Sequence, residues 1–155
     1  MPYSSFILDP KGIVLGAKAR NKAEALADIG ALAHRAYDLD AAQVTAVLEQ
    51  RESLGSTGFG RGIAIPHGRL DELASPVVLL LRPAKPLAWD AVDELPVDFI
   101  AALLSPTTGG ATHLKALAEL SRMLRDGALL DKMRGAGDSD SLFALIEGHE
   151  HRNAA

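Results

Sequence analysis

The chain has 155 residues, of which 48% are hydrophobic and 23% charged, and its net charge is −4. This length predicts one domain, residues 1–155, with a single sizeable core. The charge argues against nucleic acid as the main partner, because that binding needs clustered basic side chains and the chain has no basic stripe.

Features that the sequence lacks further restrict the cellular compartment and the kinds of chemistry that are possible. The chain has no cysteine, which rules out disulfides, thiol catalysis and cysteine-ligated metals. Its apolar runs are far shorter than the ~20 residues that span a membrane. Residues 1–5 lack the basic segment that opens a secretory signal. We therefore expect a cytoplasmic protein without membrane insertion, and we expect no metal and no cofactor.

The first predicted helix covers residues 21–37. Asn21 followed three residues later by Glu24 resembles a capping box, in which two side chains bind each other's backbone N–H groups. Apolar residues then recur at helical spacing. His34 lies on this helix, and we expect it at the surface or at an edge.

The second predicted helix begins after Asp40, a residue type that caps helices by binding their first free N–H groups. Its apolar stripe consists of Val44, Val47 and Leu48. Arg51 continues this stripe at the carboxyl end, where two roles are open. The cation either benefits only from the helix dipole, or points inward and binds an anion with its planar guanidinium.

A glycine-rich segment follows and carries the most distinctive pattern of the chain. Its glycines are Gly55, Gly58, Gly60 and Gly62. Because glycine stabilises neither helix nor strand, the pattern predicts a loop that another group can approach closely. A short strand, residues 63–65, leads from this loop to a turn with His67. Pro66 fixes the backbone before the histidine and Gly68 leaves one side open, so the imidazole is expected to be oriented and accessible.

Further strands are predicted from apolar runs. Residues 77–81 and 97–104 are nearly continuous hydrophobic stretches bounded by prolines, which is typical of strands covered on both faces. Residues 12–17 and residues 87–90 are two additional strand candidates.

A helix is predicted after residues 107–112, which form a turn and cap, and it ends near Gly127. One of its faces carries Leu114, Leu117, Ser121 and Leu124. A second stripe contains His113, Leu117, Leu120 and Leu124. His113 lies in the first turn and is either a partly buried helix residue or a donor to an anion, because free N–H groups and the dipole favour negative charge there.

Two shorter helices are predicted at residues 128–134 and 139–147. The polar tail after them contains His149 and His151, an H-x-H pair that we expect in a disordered tail rather than on a metal ion. Helices at both ends of the chain, around several buried strands, predict a layered α/β fold rather than a bundle or a sandwich.

The segment from Arg51 to Arg69 closely resembles the signature of a known family. Its string R-E-x-L-G-S-T-G-x-G-x-G-x-A-x-P-H-G-R is similar to that of the mannitol/fructose/nitrogen class of enzyme IIA proteins of the bacterial phosphotransferase system, most of all the nitrogen-regulatory branch. The resemblance extends over residues 11–148. Two positions depart from the pattern: Phe59 replaces a smaller aliphatic residue, and Arg61 replaces Asn or an acidic residue and adds positive charge beside the site.

The resemblance implies a fold, an activity and partners. The fold would be a single domain with a central mixed β-sheet of about five strands flanked by helices on both faces. The activity would be that of a phosphotransferase, in which His67 accepts a phosphoryl group on Nε2 from a histidine phosphocarrier protein while an acceptor holds Nδ1–H. His113 and Arg51 would stabilise the phosphate. Regulatory target proteins, of the potassium-transport or kinase type, are implied by the family alone.

Supporting roles are expected for Glu52, Ser56, Thr57, Gly68 and Arg69. Glu52 either holds Arg51 or caps local charge. The hydroxyls of Ser56 and Thr57 either serve local turns or bond the imidazole or the phosphate. Arg69 is as well suited to dock a partner as to bind phosphate.

Three functions are open at this stage. The leading one is a phosphohistidine carrier of a nitrogen-regulatory phosphotransferase system, which regulates partner proteins through its phosphorylation state. The second is a sugar-transport enzyme IIA that passes phosphate to a fructose- or mannitol-type IIB domain. The third is a module that binds a small anion without a covalent step. Other catalytic classes are not supported, because the P-loop, dinucleotide, H-E-x-x-H and G-x-S-x-G patterns are all missing from the sequence.

Overall fold

The structure, a computed structural model, describes residues 5–154 and the side chains of residues 5–150. The expectation about a secretory signal concerned residues 1–5, of which 1–4 lie outside the described residues. The elements in chain order are β1 (Ile7–Ala17), α1 (Lys22–Tyr37), α2 (Ala41–Ser53), β2 (Gly58–Gly60), β3 (Ile63–Ala64), β4 (His67–Leu70), β5 (Val77–Pro83), β6 (Phe99–Pro106), α3 (Gly110–Leu124), α4 (Gly127–Gly135) and α5 (Ser139–Ala154). No helix in this part of the chain is long and apolar enough to cross a membrane.

The strands form a mixed six-stranded sheet with the order β1-β5-β6-β3-β2, in which β4 also pairs with β6. β1 is parallel to β5, and β5 is antiparallel to β6. β3 and β4 are both parallel to β6 and follow each other along its other edge, separated by Ile65 and Pro66. The predicted layered α/β fold with a central mixed sheet is confirmed, with six strands instead of about five.

The sheet has a hydrophobic core on each face. Successive side chains of a strand point to opposite faces, so the nearly continuous apolar runs of β5 and β6 supply both cores. Leu79 and Leu81 pack with residues of α1 and α2. Val78 and Leu80 pack with residues of α3, α4 and α5. Helices therefore flank the sheet on both faces, as the resemblance implied.

The caps predicted for the first two helices are present. The side chain of Asn21 accepts a hydrogen bond from the N–H of Glu24 at 2.8 Å. Asp40 accepts one from the N–H of Gln43 at 3.0 Å. Each cap satisfies a backbone donor that has no partner within the helix. The second half of the capping box is absent from the described contacts, because the Glu24 carboxylate binds the backbone and side chain of Arg20 instead.

Two strand predictions need correction. β1 begins at Ile7, earlier than the predicted residue 12, because its first residues pair with the start of β5. Residues 87–90 do not form a strand. Leu87 makes only an isolated bridge to Val97, and the chain then turns at Asp90, where φ is 57°.

The glycine-rich segment is a hairpin of β2 and β3 rather than a loop. The two strands pair antiparallel around a turn at Arg61 and Gly62, which have φ values of 61° and 82°. The glycines do permit close approach, as predicted, but the approaching groups belong to the protein. A Cβ on Gly58 would lie 2.9 Å from the Cβ of Ala91. The hairpin therefore packs directly against the segment that follows the bridge.

Helix α3 does not bury the face with Leu114 and Ser121 that was predicted first from the sequence. Leu114 is 65% exposed. The buried residues are His113, Ala116, Leu120, Met123 and Leu124, so the stripe that contains the histidine faces the core. The helix begins after Gly109, which has a left-handed φ of 76° and provides no side-chain cap. Gly127 is not the end of α3 but the first residue of α4, which is capped by the side chain of Asp126.

The carboxyl-terminal tail is helical, so the prediction of a disordered tail is wrong. Helix α5 extends to Ala154 instead of ending at residue 147. His149 is buried, and its Nε2 lies 3.4 Å from Oδ2 of Asp126 at the start of α4. This contact between distant parts of the chain holds the additional turns. The side chain of His151, the other member of the H-x-H pair, lies outside the described residues.

Candidate active site

His67 is the first residue of β4, so its predicted position in a turn is wrong. It pairs with Leu103 of β6, whose N–H donates to the carbonyl of Pro66 at 2.9 Å. A proline fits at the start of a strand, because it has no N–H to leave unpaired but keeps its carbonyl. The backbone of the histidine is therefore held by the sheet.

Gly68 has a different role from the predicted one. Side chains alternate along β4, so His67 and Arg69 face α3 whereas Gly68 faces α2. A Cβ on Gly68 would overlap Cγ1 of Val47 on α2. The glycine thus lets α2 lie close to β4, rather than leaving one side of the ring open. Arg51 lies one helical turn after Val47, and this packing brings it to the imidazole.

The two ring nitrogens of His67 have opposite kinds of partner. Nδ1 lies 2.8 Å from the carbonyl oxygen of Ile65, which can only accept, so Nδ1 carries the proton. Nε2 lies 3.3 Å from Nε of Arg51, which can only donate, so Nε2 carries the lone pair. Both contacts favour the same neutral tautomer. The Ile65 carbonyl is an acceptor of the kind that the resemblance implied.

The surroundings of His67 also favour the neutral ring. Burial has the largest effect and lowers the pKa of His67 below its ordinary value. The hydrogen bond to the Ile65 carbonyl raises this pKa, and the Arg51 cation lowers it. The net effect is a lowered pKa, so the imidazole is neutral at pH 7. A neutral imidazole is a nucleophile.

His113 faces His67 from the first turn of α3, with ring centroids 5.9 Å apart. Its Nδ1 lies 2.7 Å from Oγ of Ser105 near the end of β6. Burial lowers the pKa of His113, and the Arg69 cation lowers it further, as does His67 when that ring is protonated. This second ring is therefore neutral at pH 7 as well. The start of α3 adds free N–H groups and the positive end of the helix dipole.

The two histidines line an open cleft of about 380 Å³, together with two arginines. Nη1 of Arg51 donates to the carbonyl of Gly55 at 2.8 Å, which holds the guanidinium beside His67. Arg69 makes a longer bond of 3.4 Å to the carbonyl of Thr107 at an exposed position. One cleft thus brings together the lone pair of His67, the cations of Arg51 and Arg69, and the amino-terminal end of α3. Such an arrangement suits the transfer and binding of a phosphoryl group.

Glu52 does not hold Arg51. Its carboxylate accepts hydrogen bonds from the N–H and the hydroxyl of Thr57. It also pairs with Nζ of Lys22 at 3.0 Å. Lys22 lies 5.3 Å from the ring centroid of Trp89. This network fixes the turn that follows α2, and the negative charge of Glu52 also raises the pKa of His67, against the larger effect of burial.

The hydroxyls of Ser56 and Thr57 both bind other groups of the protein around the turn that follows α2. The Ser56 hydroxyl donates to the carbonyl of Trp89 at 2.8 Å and accepts from the N–H of Gly58 at 3.1 Å. The Thr57 hydroxyl is bound to Glu52. Neither hydroxyl contacts the imidazole among the contacts of residues 5–150. The Thr57 hydroxyl therefore serves the local turn, whereas Ser56 also connects this turn to Trp89, 33 residues away in the chain.

Arg61 lies away from the site, so the expectation of a charge beside it is wrong. β3 and β4 pair with β6 at Phe99 and Leu103 onward, which separates the hairpin from the histidine by roughly 13 Å at about 3.3 Å per residue. Nη1 of Arg61 instead donates to the carbonyl of Arg125 at 3.1 Å. Phe59 packs against the core on the α3 face.

The sequence predicted the exposed position of His34 but not the contact of Ser105 with His113. His34 is exposed on α1, as predicted, with Nδ1 3.1 Å from the carbonyl of Leu39. Ser105 was not considered, because no local pattern connects a serine in an apolar strand with a histidine on the next helix. Among the described residues, no group of three or more His, Cys, Asp or Glu side chains is arranged to hold a metal ion.

Nearly the whole chain is similar to known proteins. The family described as "Phosphoenolpyruvate-dependent sugar phosphotransferase system, EIIA 2" matches residues 6–149. A "Nitrogen regulatory protein" of Bradyrhizobium diazoefficiens is 36% identical over 146 residues, covering 94% of this chain and 95% of that protein. The crystal structure of nitrogen regulatory protein IIA-Ntr from Neisseria meningitidis matches with a TM-score of 0.84 at 31% identity, covering 90% of this chain and 96% of that one. A "PTS system fructose-specific EIIA component" of Haloferax volcanii is 39% identical over 123 residues, 79% of each chain.

The fold and the matches define a phosphotransferase of the enzyme IIA class, which acts through a phosphohistidine. The chain belongs to the phosphotransferase-system EIIA 2 family, whose members accept phosphate from phosphocarrier proteins. The resemblance found in the sequence is therefore confirmed. Similarity to nitrogen regulatory proteins over nearly the whole chain favours the regulatory function over the sugar-transport alternative.

Proposed function

We propose that this chain is a phosphohistidine carrier in which Nε2 of His67 accepts a phosphoryl group from a histidine phosphocarrier protein. One observation carries the proposal: the Ile65 carbonyl accepts a hydrogen bond from Nδ1–H of His67, while Nε–H of Arg51 donates to the lone pair on Nε2. That lone pair forms the new N–P bond as the N–P bond to the donor's histidine breaks. No proton has to leave Nε2, because it carries none.

Arg51 changes its partner during this step. In the unphosphorylated protein its Nε–H donates to Nε2 of His67. Once Nε2 is bonded to phosphorus it no longer accepts, and the guanidinium donates to the phosphoryl oxygens instead. Charge on these oxygens dominates the transition state of phosphoryl transfer, so a cation already in place lowers the barrier. Arg69 and His113 complete the cleft around the same oxygens.

Exposed apolar residues beside the cleft support a protein as the donor. Leu54 lines the cleft and is 81% exposed, and Leu114 follows His113 on α3 and is 65% exposed. Apolar side chains that flank a site favour contact with another protein surface rather than with a small ion. We assign the rim to the docking of the phosphocarrier.

The biological role that we propose is nitrogen-related regulation in the cytoplasm. Relatives named nitrogen regulatory proteins cover most of the chain, and the absence of cysteine suits a reducing compartment. A phosphohistidine adds a compact negative charge between two exposed leucines, which changes the surface that a partner meets. Target proteins of the potassium-transport or kinase type stay a prediction.

Sugar transport is the second candidate, and the fructose-specific relative favours it. In that function the phospho-form would pass its phosphate to a IIB domain. Mixing the phosphorylated protein with a purified fructose- or mannitol-type IIB domain separates the two functions. We expect no rapid transfer, and transfer within seconds would support the transport function instead.

Phosphorylation with purified upstream components tests the carrier function. We expect one equivalent of acid-labile phosphate on the wild-type chain and none on His67→Ala. The control is His34→Ala, which removes an exposed histidine from α1 and should be phosphorylated fully. A full equivalent on His67→Ala would move the acceptor to His113. No phosphate on the wild type would leave only the anion-binding module.

A further inference from the structure

Ser105 places a buried hydroxyl directly behind the candidate active site. It lies near the carboxyl end of β6, opposite Arg69 of β4 in the strand register, and is 0% exposed. Its Oγ lies 2.7 Å from Nδ1 of His113. Among residues 5–150 this is the only hydrogen bond of the hydroxyl. The hydroxyl and the imidazole therefore determine each other's proton positions.

The proton count distinguishes two arrangements of this pair. A serine hydroxyl has one proton to donate, and a neutral imidazole carries one proton on either Nδ1 or Nε2. If the hydroxyl donates to Nδ1, its proton is used and His113 carries its proton on Nε2. If Nδ1–H donates to Oγ, the hydroxyl proton has no acceptor in the described part of the chain. A buried donor without an acceptor is costly, so the first arrangement is favoured.

We propose that Ser105 is a positioning residue that holds His113 in the Nε2–H tautomer, so that His113 donates to the phosphoryl group on His67. The proposal rests on the phosphorylation of His67 proposed above. It deepens that function because it explains how a neutral histidine acts as a donor. In the other tautomer His113 would turn a lone pair toward the phosphoryl oxygens and repel them.

The two rings then differ in the atom that carries the proton. His67 has it on Nδ1, held by the Ile65 carbonyl, and presents a lone pair. His113 has it on Nε2 and presents a donor. With ring centroids 5.9 Å apart, one cleft thus offers both a nucleophile and a hydrogen-bond donor for its product.

Long-range ¹H–¹⁵N correlation spectra of the unphosphorylated protein test the tautomer, independently of any phosphoryl transfer. At pH 8, where both rings are neutral, we expect the Nε2–H pattern for His113 and the Nδ1–H pattern for His67. In Ser105→Ala the His113 signal should move toward the Nδ1–H pattern or a mixture, and Ser105→Cys, a weak donor, should lie between. The His67 signal should stay the same in all three proteins. An Nδ1–H pattern for His113 in the wild type would overturn the proposal.

A double-mutant cycle tests the consequence for phosphate. We expect Ser105→Ala to shorten the lifetime of the phospho-form roughly two- to tenfold, the range of one neutral hydrogen bond. In a His113→Ala background the same substitution should have no further effect, because the ring that it positions is gone. A merely structural serine would shorten the lifetime equally in both backgrounds, and that result would also overturn the proposal.

Phosphorylation and positioning fail in distinguishable ways. If no variant accepts phosphate, the carrier function is wrong, whereas the spectra still decide the tautomer. If the wild type is phosphorylated but His113 keeps the Nε2–H pattern in Ser105→Ala, the carrier function stands and Ser105 does not position the ring.

Discussion

His67 and His113 face each other across one cleft but are held in different ways. His67 stands on a strand, and its Nδ1 donates to the backbone carbonyl of Ile65. His113 stands at the start of a helix, and its Nδ1 is bonded to the hydroxyl of Ser105. Within the described residues, only His67 has an arginine in contact with Nε2.

This difference is the basis on which we propose separate roles for the two neutral histidines. A backbone carbonyl can only accept, so it turns the lone pair of one ring toward the cleft. A buried hydroxyl with one partner donates, so it turns the N–H of the other ring toward the same space. In the proposed mechanism, the group bonded to Nδ1 of each ring determines whether that histidine acts as the nucleophile or as the hydrogen-bond donor.

Among substitutions that alter the difference between the surroundings of His67 and His113, we expect the largest effect from Arg51→Ala. We expect phosphoryl transfer to slow by roughly 10²-fold, the scale for losing one preorganised donor to developing charge. Arg51→Lys should recover only part of the rate, because a point charge lacks the two-pronged geometry. Rapid-quench measurements of transfer give both rates. Arg35→Ala, which removes an exposed cation from α1, serves as the control. A wild-type rate in Arg51→Ala would reduce Arg51 to a helix-end cation.

Gly68→Ala tests how α2 reaches the His67 side of the cleft. The new Cβ would overlap Cγ1 of Val47, so α2 and Arg51 must move away from the imidazole. We expect a loss of ~1–3 kcal/mol in the free energy of unfolding, together with slower transfer. Val47→Ala should restore both in the double variant, since it removes the overlapping carbon. Denaturant unfolding and transfer rates provide the measurement. Unchanged values in Gly68→Ala would contradict the packing role.

His113→Ala tests the other side of the cleft and should have a smaller effect. We expect His67 still to be phosphorylated, with transfer slowed by about tenfold and a shorter-lived phospho-form, because one donor to a charged group is lost. His113→Gln, which keeps an N–H donor, should recover part of the loss. Transfer rates and phosphate release decide it. Equality of both variants with the wild type would make His113 structural, and loss of all phosphorylation would make it essential.

Both histidines should make the protein less stable in acid. Burial lowers the pKa of His67 and of His113 below the ordinary value of about 6.5, so the unfolded chain binds these protons first. Their contribution to stability is complete above about pH 6.5 and decreases as the pH falls through 6.5 toward the lowered values. Unfolding curves at pH 7.5 and 5.5 should therefore differ less in the double alanine variant than in the wild type. The same difference in both proteins would show that the pKa values are not lowered.

The parts of this site that follow local rules could be predicted from the sequence. The apolar stripe of α2 indicated that Arg51 turns inward, and the string around His67, through its family resemblance, indicated the residue that we propose as the acceptor. The stripe through His113 indicated a partly buried ring, and burial on α3 agrees with it. Each of these inferences used only residues within a few positions of one another.

Contacts between distant segments could not be predicted in this way. The overlap between Gly68 and Val47 depends on how α2 lies across β4. The bond of Ser105 depends on the register of β6 and on the start of α3. Helix α5 continues past its expected end because it meets Asp126 near α4. In all three cases one residue obtains its role from a partner that sequence periodicity does not identify.

The most direct test is the identity of the phosphorylated atom. Couplings between ³¹P and ¹⁵N in the phosphorylated, ¹⁵N-labelled protein identify the nitrogen that carries the phosphate. We expect the phosphate on Nε2 of His67, with the Nδ1 proton still bound to the Ile65 carbonyl. Phosphate on Nδ1 of His67, or on either nitrogen of His113, would contradict the assignment of nucleophile and donor.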